Sequence, residues 1–579
     1  MTQKPRPKIP SSRTRGKQPA PVQLTSSPGY FRSTLWPIVA SLAVLVLGVY
    51  RAIDLRWISD DAFITMRYVK NFVEGHGLVY NIGEKVEGYT HFLWLLMLAA
   101  ARATGFNPVD ASMWLGIVSF AAILTLLLAI SYREHKKSLN SLWLPLAAGL
   151  FAFNYDNVVW ASGGLETSFY TLLILGAYYF WFYTRYSESQ RLLLSGSVLA
   201  LASLTRPDAV LFTATAAGLL VVRGVKGGSI ASSMRPIATL LLPSIIIGVP
   251  YLAWKYYYYG DLLPLTYYAK SSGASYFGQG LYYIWLYFRV YFILGIALIA
   301  SVILLWRTRG SVAGVEDLGS RWKVAGVASM VYLALFVARS GGDFMFARFI
   351  IPVVPFIAIV IETGVTRLPV GAKRYQILIG ISLLAGVFLE NDLRVNVLFH
   401  LNAEGRPVEN WNLTGEGSTR GIADERWDYY AGHYRFDDVT KGTMEVYSDI
   451  GRYLEPMFRD LPVTIAIPGG KNMVAYYANF KTCINEYGLT DSAIAHSSSS
   501  AHGRIGHEKH ATEEYLKQRH VDLELYDAVP NIPADLSSGT VALEIPTMGL
   551  WQFTHLVTYD TANMDSLSHR FGSGLVRIP

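Results

Sequence analysis

Apolar stretches long enough to cross a bilayer recur down the first two thirds of this 579-residue chain. A helix of about 20 such residues spans the hydrocarbon layer. The stretches lie at about 34–53, 111–131, 142–157, 166–184, 191–205, 208–223, 236–257, 282–307, 322–339, 346–364 and 375–392. A further piece, 89–104, is either another span or a helix lying along the membrane surface. The bias of Lys and Arg toward cytoplasmic loops separates the two readings. If 89–104 does not cross, the connectors carrying Arg133, Lys136 and Lys137; Arg185 and Arg191; Arg223, Lys226 and Arg235; Arg307, Arg309, Arg321 and Lys323; and Arg367, Lys373 and Arg374 all fall on the side of the N-terminus. If it crosses, all of them move away from it. The first arrangement gives eleven spans, with the N-terminus in the cytoplasm and the C-terminus outside.

Composition sharpens this. Only 16% of residues are charged, against about 25% in a soluble globular protein. That excludes an ordinary soluble enzyme and a disordered chain. The formal net charge of +7 sits in the tail: residues 1–34 hold seven bases and no acid, and the remainder balances at 43 of each. The charge therefore marks a membrane side and does not describe a nucleic-acid-binding surface. Residues 1–33 read as a disordered basic tail. Residues 34–392 read as the membrane domain, whose outer loop 54–110 carries two interfacial helices at 63–75 and 89–104. Residues 393–579 hold 24 acids, 16 bases and nine of the twelve histidines, with no stretch long enough to span. LPVTIAIPGG (461–470) followed by NMVAYYANF (472–480) predicts strand then helix. The expected fold is thus an α-helical polytopic membrane protein with a C-terminal soluble α/β domain. Cys483 is the single cysteine, so no intrachain disulfide forms.

With this topology, the polar residues that interrupt the apolar pattern gather at the outer rim, and ionisable groups at such depth default to function. Asp60 and Asp61 follow the first span. Adjacent carboxylates raise one another's pKa, and one could serve as a base or cap the next helix. Glu84, Glu87 and Glu166 lie at the same rim. Arg206 and Asp208 flank Pro207 and could pair with each other. Lys270 ends an aromatic run (256–270) and could snorkel to headgroups or meet a phosphate. In SGGDFMFARFIIP (340–352), Asp343 and Arg348 could pair or, through the guanidinium, grip a phosphodiester. His507 lies in a polar loop with Glu508 and Lys509. The sequence has no HExxH, no Cys/His cluster, no phosphate-binding P-loop, no nucleophile elbow and no dinucleotide fingerprint. ATP-driven transport and serine hydrolysis are disfavoured. Asn412-Leu413-Thr414 fits a glycosylation sequon.

In order and spacing these motifs resemble the C-type glycosyltransferases (GT-C), polytopic enzymes that use polyprenyl-phosphate-linked sugars. DDAFITMRYVKN (60–71), GHGLVYN (75–81), EGYTHFLW (87–94), GLETSFY (164–170), LTRPDAVLF (204–212), YYGDLLPLTYYAK (258–270), SGGDFMFARFIIP (340–352), YGLTDSAIAH (487–496) and GRIGHEKHA (503–511) carry the likeness. It is nearest to the bacterial subgroup that includes the mycobacterial terminal β-1,2-arabinofuranosyltransferase and pilin arabinosyltransferases. Two positions depart from the subgroup, His91 and Leu265, where Asn is usual, and either could alter sugar or acceptor choice.

The resemblance implies Asp60 and Asp61 as the catalytic acids, one acting as base toward the acceptor hydroxyl. It implies Arg348 and Lys270 at the donor phosphate. Glu166, Arg206, Asp208, Asp343, Glu87, His91 and His507 would surround the sugar and acceptor. No metal ligand is assigned, although Asp60 with Asp61 could hold a divalent cation. The implied partners are a polyprenyl-phosphate sugar donor, a polysaccharide or protein acceptor and the lipid bilayer, with no nucleic acid. The implied site is the bacterial cytoplasmic (inner) membrane, facing outward. Arabinofuranose is the favoured sugar. A mannosyl- or other pentosyl- or hexosyltransferase of the same fold, or a lipid-linked sugar flippase, is the alternative. A wall-binding scaffold is a third class, but eleven spans exceed what an anchor needs.

Overall fold

A computed structural model describes residues 28–135, 144–270, 276–308, 316–368, 373–401, 407–409, 419–426, 443–459, 463–467, 471–498, 504–526, 541–546, 553–558 and 575–577. Most of the basic tail, the sequon at Asn412, and Lys136, Lys137 and Arg309 lie outside these residues. The chain is largely helical, and it is a multi-pass membrane protein by the length and composition of its helices. Among the described residues five helices are long and apolar enough to cross: Leu35–Asp54, Pro108–Glu134, Pro207–Lys226, Ala231–Tyr259 and Arg321–Ser340. The pair Phe277–Val290 and Phe292–Arg307 makes a sixth if its 97° bend is counted within one span.

Eleven spans are expected from the sequence; of the remaining stretches, Glu188–Thr205 and Lys373–Leu398 are continuous helices of 18 and 26 residues, Thr167–Tyr183 and Val354–Thr366 have 17 and 13, and one is interrupted. The stretch expected at 142–157 breaks at Asn154, giving Leu146–Phe153 and Tyr155–Val159. Asn154 is extended there and its side chain accepts from the Asn157 N–H, which starts the second piece. The stretch expected at 282–307 bends at Tyr291. Phe92–Ala103 has 12 residues, about 18 Å of helix, too short for a hydrocarbon layer about 30 Å thick. It packs against Ala62–Val73, the other helix of the same loop.

Breaking a helix in an apolar interior frees backbone N–H groups that need acceptors. Carboxylates from other helices supply them. Glu362, within Val354–Thr366, accepts the Ala147 N–H at 2.6 Å, at the start of Leu146–Phe153, and also the Ser131 hydroxyl. Glu390 accepts the Ile293 N–H at 2.6 Å, just past the bend at Tyr291. The Tyr291 hydroxyl in turn donates to Asp156 at 2.6 Å.

The C-terminal part carries a six-stranded mixed sheet. In spatial order its strands are Thr482–Asn485, Thr464–Ile467, Leu523–Tyr526, Phe553–Thr558, Val541–Pro546 and Leu575–Arg577. The first three run parallel and the rest antiparallel. Helix Asn472–Ala478 crosses between the two parallel strands Thr464–Ile467 and Thr482–Asn485, and its N-terminus meets the membrane part.

Glu188–Thr205 and Ala231–Tyr259 pack closely through Gly196, where an added Cβ would stand 2.1 Å from the Leu240 carbonyl oxygen. Gly196→Val must push these helices apart. The expected cost is about 1–3 kcal/mol or more, read as a lower unfolding temperature of the detergent-solubilised protein. An unchanged transition would refute this packing.

Candidate active site

The loop after the first span is fixed by aromatic and glycine contacts. Trp57 stacks edge-on against Trp160 at 5.2 Å and donates its indole N–H to the Val159 carbonyl. The Ser59 N–H donates to the Gly163 carbonyl at 3.0 Å. Gly164 has φ +79, and a Cβ there would sit 2.8 Å from Ile58 and 2.9 Å from Ala62. The GLET turn thus lies directly against the segment carrying the paired aspartates.

The two aspartates have different surroundings. Asp60 is fully buried, and its carboxylate accepts three hydrogen bonds from the start of Asn472–Ala478. These come from the Asn472 N–H at 2.9 Å, the Asn472 side-chain amide at 2.8 Å and the Met473 N–H at 2.8 Å. Burial pushes its pKa up to about 6 against the pull of those bonds. Arg67, on Ala62–Val73, reaches the other end of the same helix. It donates to the carbonyls of Ala475 (3.2 Å) and Phe480 (2.7 Å). A negative group sits at the helix N-terminus and a positive one at its C-terminus, as the helix dipole favours. Asn81 adds a paired contact: its amide donates to the Cys483 carbonyl and accepts the Cys483 N–H, each at 2.9 Å.

Asp61 is the N-cap residue of Ala62–Val73, yet its side chain makes no cap hydrogen bond. Among the described residues its carboxylate accepts no hydrogen bond, and it keeps accessible surface while enclosed by protein. Burial raises its pKa; Lys270, Arg348 and Arg504 pull it down and Asp343 pushes it up. No carboxylate lies within ion-pair distance of Lys270 among the described residues. Its ammonium stands 6.0 Å from the Phe344 ring centre.

A buried ion network adjoins this centre. Glu166 is completely buried, with Arg206 at 2.9 Å, Arg348 at 3.4 Å and His91 at 3.4 Å. His91 also bonds Thr65 at 2.6 Å, and burial lowers its pKa, so the ring is neutral near pH 7. Arg348 reaches Asp343 at 3.4 Å. Arg206 pairs with Asp208 at 3.0 Å, and Asp208 accepts the hydroxyls of Tyr170 and Tyr332, each at 3.0 Å. Asp343 Oδ1, Arg348 Nε and Glu166 Oε2 find no hydrogen-bond partner among the described residues. Buried polar atoms without partners are rare in folded proteins, and each calls for an explanation, a bound water or ligand among them. Gly341 (φ +86) and Gly342 (φ +79) precede Asp343, and Ala347 takes φ +63 immediately before Arg348. That left-handed turn costs a non-glycine residue about 1–3 kcal/mol.

The structure therefore groups Asp61, Glu166, His91, Arg206, Asp208, Asp343, Arg348 and Lys270. Glu87 lies apart, paired with Lys255 at 2.6 Å. His507 lies edge-on to Phe344 (4.8 Å) and Tyr487 (4.6 Å), and burial drives its pKa down to about 3. Sequence reasoning missed Arg67, Thr65 and Arg504. Arg67 was legible as a basic residue on the apolar-rich side of an amphipathic helix. Arg504 sits inside a quoted motif, but nothing local marks it. No group of three or more His, Cys, Asp or Glu among the described residues could hold a metal ion.

In fold the chain resembles ArnT from Cupriavidus metallidurans in its undecaprenyl-phosphate complex. The TM-score is 0.57 at 12% identity, covering 90% of this chain and 98% of that one. The chain thus shares the overall fold of that protein. In sequence it is similar to two proteins named terminal beta-(1->2)-arabinofuranosyltransferase. That of Mycobacterium tuberculosis is 26% identical over 566 residues, 84% of this chain and 85% of the relative. That of Corynebacterium glutamicum is 24% identical over 468 residues, 74% of this chain. The match spans 64% of the corynebacterial protein's length. No family model matches the chain.

Asp60→Ala strips the acceptor from three donors, two of them backbone N–H groups. We expect about 1–3 kcal/mol of lost stability and faster proteolysis of the part after residue 393. Wild-type protease resistance in that variant would refute the clamp.

Proposed function

We propose that the chain is a membrane glycosyltransferase. It moves a sugar, arabinofuranose by preference, from a polyprenyl-phosphate donor to a hydroxyl of a glycan or protein acceptor. The single observation that carries this is the uncommitted Asp61 carboxylate, enclosed by protein and faced by Lys270 and Arg348. The named arabinofuranosyltransferase relatives and the lipid-phosphate complex of the ArnT fold support the choice of donor. His91 and Leu265, the two departures from the subgroup, are the positions to examine for sugar choice.

In this reading Asp61 accepts the proton of the acceptor hydroxyl, and the acceptor oxygen bonds to the anomeric carbon. The bond from that carbon to the phosphate oxygen breaks, and its electron pair leaves with the phosphate. The phosphodiester becomes a monoester with one more negative charge. Lys270 and Arg348 offset that developing charge, which is where preorganised cations contribute most. Asp60 holds the loop in position. Glu166, Arg206, Asp208 and Asp343 orient Arg348 and line the sugar side, and His507 acts from its edge. We place the basic tail (1–33) in the cytoplasm, the membrane domain at 34–392 and the domain at 393–579 outside the cytoplasmic membrane, over the site.

The test is to incubate the purified protein with a panel of polyprenyl-phosphate sugars and an oligosaccharide acceptor, and to follow release of free polyprenyl phosphate. Turnover on the arabinofuranose donor, lost in Asp61→Asn, is expected. Lipid translocation in vesicles without turnover would favour a flippase instead.

A base must be unprotonated to work, and burial raises the pKa of Asp61. Activity should therefore fall on acidification, with an apparent pKa above the ordinary carboxylate value of about 4. A rate flat from pH 7 to pH 4 in a protein that stays folded would remove Asp61 as the base.

A further inference from the structure

Arg504 reaches the rim from the C-terminal part of the chain. Its loop crosses the SGGDF turn closely enough that a Cβ on Gly341 would stand 2.8 Å from Ile505 Cδ1. Gly506, at φ +81, lies against the Lys270 side chain. The Arg504 guanidinium stacks on one ring, Phe344, at 4.7 Å, the ring that the Lys270 ammonium also approaches. Two bonds fix its plane, Nε to the Gly421 carbonyl at 3.0 Å and an ion pair with Glu425 at 3.2 Å. Segment 419–426 is itself tied to the turn: the Ala423 N–H donates to Phe344, and the Phe346 N–H donates to Ala423. Lys270, Arg348 and Arg504 thus come from three separated elements and all act on Asp61. Asp343 is the only other acid among the main influences on that carboxylate.

We propose that Arg504 is a third cation of the donor-phosphate site, supplied by the C-terminal domain across Phe344, so that the site is complete only when that domain is docked. The inference rests on the glycosyltransferase reading. Three observations favour a binding role over a purely structural one. The guanidinium lies over a ring that it shares with Lys270, that lysine has no carboxylate within ion-pair distance among the described residues, and the Arg504 side chain retains 15% exposure in a buried setting. A guanidinium carries five N–H donors, so one that is already anchored can still meet a phosphate through its outer edge. During transfer the phosphate gains a negative charge as its bond to the sugar breaks. A third cation then contributes to the departing state and to retention of the product lipid.

The probe is farnesyl phosphate, a short polyprenyl phosphate, binding to full-length protein in nanodiscs. Affinity is expressed per folded molecule and measured at two salt concentrations. Wild type should bind with a marked salt dependence. Arg504→Gln, which keeps a donor for Gly421 but no charge, should weaken binding about tenfold or more, as expected for one charge-assisted bond, and lessen the salt dependence. Arg504→Lys should recover part of the affinity. Lys517→Ala, which removes an exposed charge paired with Glu513 in the same domain, should bind as wild type. Unchanged affinity per folded Arg504→Gln molecule, whether or not its melting point falls, would overturn the proposal and leave Arg504 a structural link. Failure of wild type itself to bind farnesyl phosphate would instead overturn the donor reading on which it rests.

Discussion

A backbone N–H at the start of a helix must find an acceptor, and a protein interior inside a bilayer offers no water to supply one. This chain meets that constraint repeatedly with a carboxylate reaching in from another element. Glu362 serves Ala147, Glu390 serves Ile293, and Asp60 serves Asn472 and Met473. The first two meet helix starts within the membrane part. The third joins that part to the sheet domain, and the position of the active loop depends on it. Arg67 holds the far end of the same seven-residue helix, so the loop grips the helix at both ends.

In the proposed reading, this arrangement accounts for two adjacent acids where one would serve as a base. Residues on either side of one planar peptide bond move together. Anchoring Asp60 to a helix N-terminus therefore fixes the start of Asp61 without spending the Asp61 carboxylate. The same segment is held from behind by Trp57 on Trp160 and by Ser59 on Gly163. Asp61 is left as the acid of the pair that no hydrogen bond claims among the described residues. It lies in the field of Lys270, Arg348 and Arg504 and forms no ion pair with any of them among the described residues.

Much of this was legible in sequence. The apolar stretches, the acidic pair, the Gly-Gly-Asp turn and the Arg348 that follows are marked by residue type and by position relative to the spans. The breaks at Asn154 and Tyr291 were not: the first is met by tyrosines far away in the chain, Tyr287 on the Asn154 amide and Tyr291 on the Asp156 N–H, and the second by the acids Glu390 and Asp156. Periodicity cannot report an acceptor supplied from a hundred residues distant. Glu87 illustrates the opposite failure. Its place in a motif beside His91 suggested the pocket, but the nearest cation, Lys255, sits on a helix whose apolar pattern hides it. Arg504 stayed hidden for a third reason, since its meaning comes only from the ring and lysine it meets across the domain junction.

These contacts also bear on what the C-terminal domain is for. Groups acting as proposed for Asp61 and Arg348 need placement to within about 0.5 Å, and a loop between helices does not hold that tolerance unaided. Here the loop is backed by the GLET turn on one side and by the sheet domain on the other, through Asp60, Arg67 and Asn81. The SGGDF turn is held likewise through Ala423 and Ile505. Both halves of the centre, the acid at Asp61 and the cation at Arg348, thus take part of their position from residues beyond 393. A domain that only captured acceptor could be joined by a flexible tether. One that sets the distance between the acid and the cations must dock through buried, directional contacts, as this one does.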